Sequence, residues 1–333
     1  MRARPLFLAF VAGVWLAASS AAARDIYVSN GSGDDRFNGL QQAPVPGGNG
    51  PVRTLDMALR LAQQGDRIVV ENTGTPYRES LSLVGSRHSG YADFPFIILG
   101  NGAVLDGSAP VPAPVWEHYR DAVFRFQPPR VEYQQLFLNG RPASRVAASA
   151  ASEEPPKLNA LEWCLHRGYI YFAVEGSKLP ADYPLSYAAR PAGISLLAVQ
   201  NVLIRDLVIQ GYHLDGINAL NSCQRVRVER VTCRGNGRSG VATGGASLVD
   251  LQDCVLGNNG AAQLLTLPWS ETFLRRCDLL SNTAPAWVDQ GGKLYRDGEE
   301  VRGGLDDFRS QPGPDAPANK PETKSEPGKK KTK

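Results

Sequence analysis

Between residues 191 and 287 the chain repeats one short pattern of apolar positions. The segments 204–209 (IRDLVI), 228–233 (VERVTC), 251–256 (LQDCVL) and 274–279 (LRRCDL) superimpose at offsets of 24, 23 and 23 residues. Three columns are apolar in every copy: Ile204/Val228/Leu251/Leu274, Leu207/Val231/Cys254/Cys277 and Ile209/Cys233/Leu256/Leu279. A second phase keeps the same rhythm through Ile194, Ile217, Val241, Leu264 and Trp287, and Asn236, Asn259 and Asn282 recur every 23 residues after the second strand of each unit. No helical period accompanies these runs. Strands this short bury nothing alone, so the units must stack, pairing in parallel at about 4.8 Å and turning each apolar column into an internal ladder. The Asn column then becomes a buried amide ladder that satisfies backbone groups at a corner.

The pattern predicts an all-β chain, a right-handed single-stranded parallel β-helix, and here the sequence resembles the pectate-lyase-like superfamily, whose turns carry such Asn ladders. The stretch from Asp25 through Gly31, Gly39, Pro51 and Tyr77 looks like the opening of many secreted bacterial β-helix proteins. Thr54 is placed to cap a helix over 55–64, closed by Gly65, with Leu55, Ala58, Leu59 and Ala62 as its apolar stripe. Such a helix covers the open end of the stack. Irregular coils follow at 67–70, 80–83, 96–99 and 103–105. The expected organisation is a cap and first coils over 24–110, an insert over 111–190, regular coils over 191–290 and a C-terminal cap over 291–309. Within the insert, alternating runs at 123–126, 135–138, 161–164 and 169–173 predict a small antiparallel β layer with Asn139-Gly140 as a hairpin turn. That insert is similar to one in some β-helix glycoside hydrolases.

Composition adds the ends. Arg2 and Arg4 precede the apolar run 6–18, and Ala21-Ala22-Ala23 offers a cleavage site, so residues 1–23 read as a signal peptide and the protein as secreted or periplasmic. No later apolar run approaches a membrane span. Residues 310–333 contain no large apolar side chain, are rich in Pro and Lys, and read as a disordered tail. Between these ends stand 28 basic and 30 acidic side chains, so the formal +3 of the whole chain belongs to its termini and offers no platform for nucleic acid. Five Cys cannot all pair; Cys233, Cys254 and Cys277 fall in inward columns, and whether Cys254 and Cys277 bridge stays open. The four His are scattered and no CxxC occurs, so no metal site is expected.

Chemistry must then sit on the outward columns. One reads Arg205, Glu229, Gln252, Arg275; the bend reads Asp206, Arg230, Asp253, Arg276; a third reads Leu203, Arg227, Asp250, Phe273. The Asp/Arg alternation of the bend suits simple ion pairing. Glu229 and Asp250, lying diagonally, are the candidate acid/base pair, with Asp253 as second choice. Arg205, Arg227, Arg230, Arg275 and Arg276 are candidate grips for the carboxylates of an acidic sugar, and Asn218, projecting outward from the strand that follows the turn at 212–216, is a further substrate-binding candidate. His213 and Asp215 form another second-choice pair. In many family members the first sheet and its bend form the polysaccharide groove, so the resemblance implies a monomer that binds a polysaccharide, acidic chains included, and cleaves it as a lyase or glycoside hydrolase. The alternative is a non-catalytic cell-surface or matrix-binding protein. The paired Asp, Gly-His-Gly and Arg-x-Lys of polygalacturonases are absent, and the acidic calcium cluster of pectate lyases is not evident, so neither a catalytic set nor a calcium cofactor transfers.

Overall fold

The computed structural model describes residues 23–149 and 151–303. Residues 1–22 of the expected signal peptide and the expected tail over 310–333 lie outside the described residues. Two parallel sheets form the body. The 12-stranded first sheet runs in the order Asp25–Val28, Arg67–Val70, Phe96–Asp106, Gln200–Gln210, Gln224–Glu229, Leu248–Gln252, Glu271–Arg275, Lys293–Arg296 and Glu299–Glu300, with Thr232–Arg234, Val255–Gly257 and Asp278–Leu279 as a side branch. The six-stranded second sheet stacks Leu81–Val84, Ile194–Leu197, Asp215–Asn221, Ser239–Thr243, Ala262–Thr266 and Trp287–Asp289. The apolar columns stand in register: Ile204 faces Val228, Val228 faces Leu251 and Leu251 faces Leu274. In the second sheet Ile194, Ile217, Val241, Leu264 and Trp287 follow one another across the strands. Their side chains form one continuous core, most of it at or below 1% exposure. Each fully buried Val, Leu or Ile there contributes about 1.5–3 kcal/mol. All five cysteines are free and buried. The thiols of Cys254 and Cys277 donate to backbone carbonyls, and the neighbouring Cys277 sulfur together with burial holds the Cys254 thiol well above its usual value.

The helix at the open end spans Leu55–Leu61, three residues shorter than its apolar stripe predicts. Thr54 caps it by accepting from Met57 N, and the Glu79 carboxylate accepts from Leu55 N and Asp56 N at 3.0 and 2.9 Å. At the other end Asp66 accepts from Gln63 N at 2.8 Å, drawing the chain out of the helix before Gly65. The last carbonyls are taken by distant side chains: His88 Nε2 bonds Leu59 O, and Arg87 donates to Arg60 O and Ala62 O.

The insert leaves the body after Phe96–Asp106 and returns before Ile194–Leu197 without breaking the stack, because Phe96–Asp106 pairs directly with Gln200–Gln210. It forms two sheets where one layer was expected. Ser144–Arg145, Glu162–His166, Tyr169–Ala173, Val123–Phe126 and Glu117–Arg120 make one; Ser108–Pro110, Leu185–Ala188, Leu136–Leu138 and Arg141–Pro142 make the other. Asn139 and Gly140, at φ 52° and 71°, turn the expected hairpin. Arg167 and Gly168 turn a second one, joining His166 to Tyr169. Trp163, Phe126, Phe172 and Leu136 fill a core separate from that of the stack.

The amide ladder is real over two of its three Asn. Asn236 and Asn259 are fully buried, Asn236 Nδ2 donates to Asn259 Oδ1 at 3.1 Å, and Asn236 Oδ1 accepts from Tyr212 N. The third rung is Gln263, whose Oε1 accepts from Asn259 Nδ2 at 2.8 Å, while Asn282 sits outside and pairs with Asn258. A longer amide reaching in from the second sheet thus replaces the Asn that the 23-residue spacing predicts. Asn259→Ala would remove the acceptor of the Asn236 backbone N–H, one of the two acceptors of Asn236 Nδ2, and a donor to the Cys233 carbonyl. Urea unfolding should show a loss of roughly 2–5 kcal/mol for Asn259→Ala, and under about 1 kcal/mol for Asn282→Ala.

Candidate functional site

The first sheet brings the expected outward columns together. Leu203 faces Arg227, Arg227 faces Asp250, Asp250 faces Phe273 and Phe273 faces Tyr295; beside them Arg205, Glu229, Gln252 and Arg275 align. Glu229 and Asp250 therefore lie on adjacent strands, two residues apart in register. With strands about 4.8 Å apart and 3.3 Å per residue, their Cα atoms are separated by about 8 Å. Both carboxylates are held: Arg227 lies 3.5 Å from Glu229, and Arg275 lies 3.2 Å from Asp250.

The bend column is an ion-paired spine. Asp206, Arg230, Asp253 and Arg276 all adopt left-handed backbone, with φ between 48° and 56°. That conformation turns the corner and sends each side chain toward its counterpart in the next layer. Arg230 grips Asp206 through two bonds of 2.6 and 2.9 Å, and Arg276 grips Asp253 at 2.7 and 2.8 Å. These guanidinium bonds hold both carboxyls below the usual carboxylate range. Arg205 also donates to Asp206. The structure thus commits Arg205, Arg230 and Arg276, expected as sugar grips, to Asp206 and Asp253, and gives Asp253 a structural partner.

Asp250 opens onto a groove. Asn201, Leu203, Arg225, Arg227, Leu248 and Asp250 form its floor, Ala92 and Pro95 overhang it, and its volume is about 310 Å³. Asp250 Oδ2 meets Arg275, but Oδ1 is buried and accepts no hydrogen bond. Arg225 is braced by a 2.6 Å bond to Asn201 Oδ1. Along the same column Phe273 and Tyr295 stack face to face, centroids 4.8 Å apart and planes 11° from parallel, forming an aromatic shelf beyond Asp250. Tyr91 and Phe94, joined by reciprocal backbone bonds, stand exposed on the overhanging turn. Trp269 is 83% exposed at φ 71°, in a turn column whose other members are Ala198, Ser222 and Ala246. Sequence reasoning missed the turn at 91–95 and Trp269; the signals were an aromatic pair around an Asp-Phe-Pro turn, and a Trp in a column of small residues.

His213 and Asp215 are not brought into a hydrogen bond. Asp215 is fully buried and is held by Arg238 at 2.6 and 3.0 Å and by Ser239 Oγ at 2.7 Å. His213 is buried with neither ring nitrogen bonded. The insert lies against this corner, since a Cβ on Gly237 would meet the Tyr133 carbonyl at 1.5 Å. Asn218 lies on the second sheet between Ser195 and Ala242, away from the groove column.

Among the described residues no group of three or more His, Cys, Asp or Glu could hold a metal ion, and no helix is long and apolar enough to cross a membrane. No protein-family model matches the chain, and no curated protein matches it. A solved structure described as a glycoside hydrolase is 11% identical, with 77% of this chain and 73% of that one covered, at a TM-score of 0.53. A complex of XylC with xylose is 12% identical over 82% and 69% at 0.39, and the GH136 lacto-N-biosidase from Eubacterium ramulus is 12% identical over 75% and 41% at 0.29. At this identity the first likeness is one of fold, and the lower scores of the other two carry no argument.

Burial pushes the His213 pKa down, an effect offset in part by the Glu132 backbone nearby. The folded protein therefore resists a proton that the unfolded chain accepts as pH falls through about 6.5. The His213 contribution to stability is full above the unfolded pKa and declines as pH drops through it toward the lower folded value. Thermal unfolding between pH 8 and 5 should show a smaller fall for His213→Phe than for the unaltered chain.

Proposed function

We propose that this chain winds as an exported, right-handed, single-stranded parallel β-helix and that the outer face of its first sheet binds and hydrolyses a polysaccharide. The winding is supported by strand neighbours 23 or 24 residues apart in both sheets and by the backbone likeness to a glycoside hydrolase. The observation that carries the function is the Asp250 side chain, which lines the groove and lies next to Phe273 and Tyr295 in the same outward column. Glu229 lies diagonally from it. Two carboxyl groups on adjacent strands can serve as general acid toward a glycosidic oxygen and general base toward a water. In this reading Asp250 meets the glycosidic oxygen and Glu229, oriented by Arg227, activates the water. Phe273 and Tyr295 offer a flat apolar surface to a sugar ring, and Arg225 and Arg227 bring positive charge to the groove, which favours acidic chains.

The ion pairs that occupy most of the Arg column favour a second reading, a non-catalytic cell-surface or matrix-binding protein. A panel of uronic-acid and neutral polysaccharides, followed by reducing-end release and by absorbance of unsaturated products, separates the two. Hydrolysis is expected on at least one substrate, with Asp250→Asn and Glu229→Gln each lowering turnover by about 100-fold or more. Binding without turnover across the panel establishes the second reading, unsaturated products would replace the hydrolase with a lyase, and unchanged turnover in both variants would place the chemistry on another face.

A further inference from the structure

A cavity bordered by both the insert and the stack lies away from Asp250. Its volume is about 670 Å³, within the range of small-molecule sites. Ser144, Arg145 and Gln135 line the insert side; Asn258, Asn282 and Thr283 line the other. Arg145 is the only charged residue of the lining, and no carboxylate faces it. Its guanidinium lies 5.1 Å from the centroid of the buried Trp163 ring, a cation–π contact on one side of the cation. Among the described residues Arg145 has no ion-pair partner, unlike the bend arginines, whose forks are filled by Asp206 and Asp253. Across the cavity Asn282 Nδ2 donates to Asn258 Oδ1, and Asn282 Oδ1 accepts from Asn258 N. That closed pair spends both amide oxygens and leaves the Asn258 amide nitrogen as a donor. Asn258 itself is held in left-handed backbone at φ 57°, which fixes the direction of its side chain.

An unpaired planar cation, an amide donor on the other wall and the Ser144 hydroxyl on the insert rim offer donors to an oxyanion group, while the Thr283 hydroxyl is spent on the Asn259 carbonyl. We propose that this cleft is a binding site for the carboxylate or sulfate of a small polar ligand, separate from the Asp250 groove. Occupancy would bridge the insert to the stack across surfaces that otherwise meet through tight glycine contacts, such as Gly260 against Gln135. The sugar acid and the inorganic ion share the recognised chemistry, and the size of the cleft accommodates either.

Isothermal titration of the full chain with digalacturonate, sodium sulfate and neutral galactobiose tests this. Digalacturonate or sulfate should show binding that Arg145→Gln weakens and galactobiose should show none that depends on Arg145, the tighter of the two anions naming the source. Arg145→Gln should weaken anion binding by about tenfold or more, the loss of a charge-assisted hydrogen bond. Asn258→Asp, which suits the left-handed backbone and adds a negative charge opposite Arg145, should weaken it as well. Arg36→Gln, at an exposed arginine outside both the cleft and the groove, should leave it unchanged, and any reducing-end release should persist in Arg145→Gln, so failure of the hydrolase reading is distinguishable from failure of this one. Absence of anion binding, or equal affinity in the unaltered chain and in both Arg145→Gln and Asn258→Asp with unaltered melting, would overturn the proposal.

Discussion

The fold depends on parallel pairing between residues 23 or 24 positions apart. Each strand is too short to be stable by itself, and each draws its hydrogen bonds from the layers above and below. Once Val228 faces Ile204 on one side and Leu251 on the other, Arg227 and Glu229 must point outward. A shift by one residue would bury those charges and expose the apolar column, so the register is protected by the whole core at once. The insert shows how strong the constraint is. More than 80 residues intervene between Leu81–Val84 and Ile194–Leu197, yet the two strands pair as neighbours.

The same stacking that builds the core creates its polar problems, and each corner answers them differently. One corner is buried, and the chain Tyr212 N, Asn236, Asn259 and Gln263 satisfies it by passing hydrogen bonds from layer to layer. Another is exposed, and charged side chains in left-handed backbone pair across it as Asp206 with Arg230 and Asp253 with Arg276. Where the insert lies on the stack, the Asp215 carboxyl has no exposure, and Arg238 and Ser239 bond both its oxygens. Asp250 and His213 depart from this economy. Asp250 keeps one buried polar atom without a bond and His213 keeps two, and such atoms are costly.

Properties that repeat were legible in the sequence. The apolar columns, the outward columns of the first sheet and the Asn139-Gly140 turn follow from spacing and backbone preference alone. Properties that depend on a single long-range partner were not. The helix stops at Leu61 because Asp66 captures the Gln63 amide, and the third amide rung is Gln263 because its side chain reaches further than the local turn allows. The Asp/Arg alternation of the bend pointed to the pairing of Arg230 with Asp206 and of Arg276 with Asp253, but the pairing of Arg205 with Asp206 and of Arg275 with Asp250 could not be read from their columns. The groove itself needed the turn at 91–95, brought over the strands by contacts between segments more than 100 residues apart, as in the bond from Asn201 Nδ2 to Gly90 O.

The central claim is that the column from Leu203 to Tyr295 is where a saccharide lies. A crystal structure of the Asp250→Asn variant soaked with the oligosaccharide that the unaltered protein binds most tightly tests it directly. The account predicts a sugar ring against Phe273 and Tyr295, with the glycosidic oxygen within hydrogen-bond reach of residue 250. A saccharide seated elsewhere, with this column empty, would contradict it.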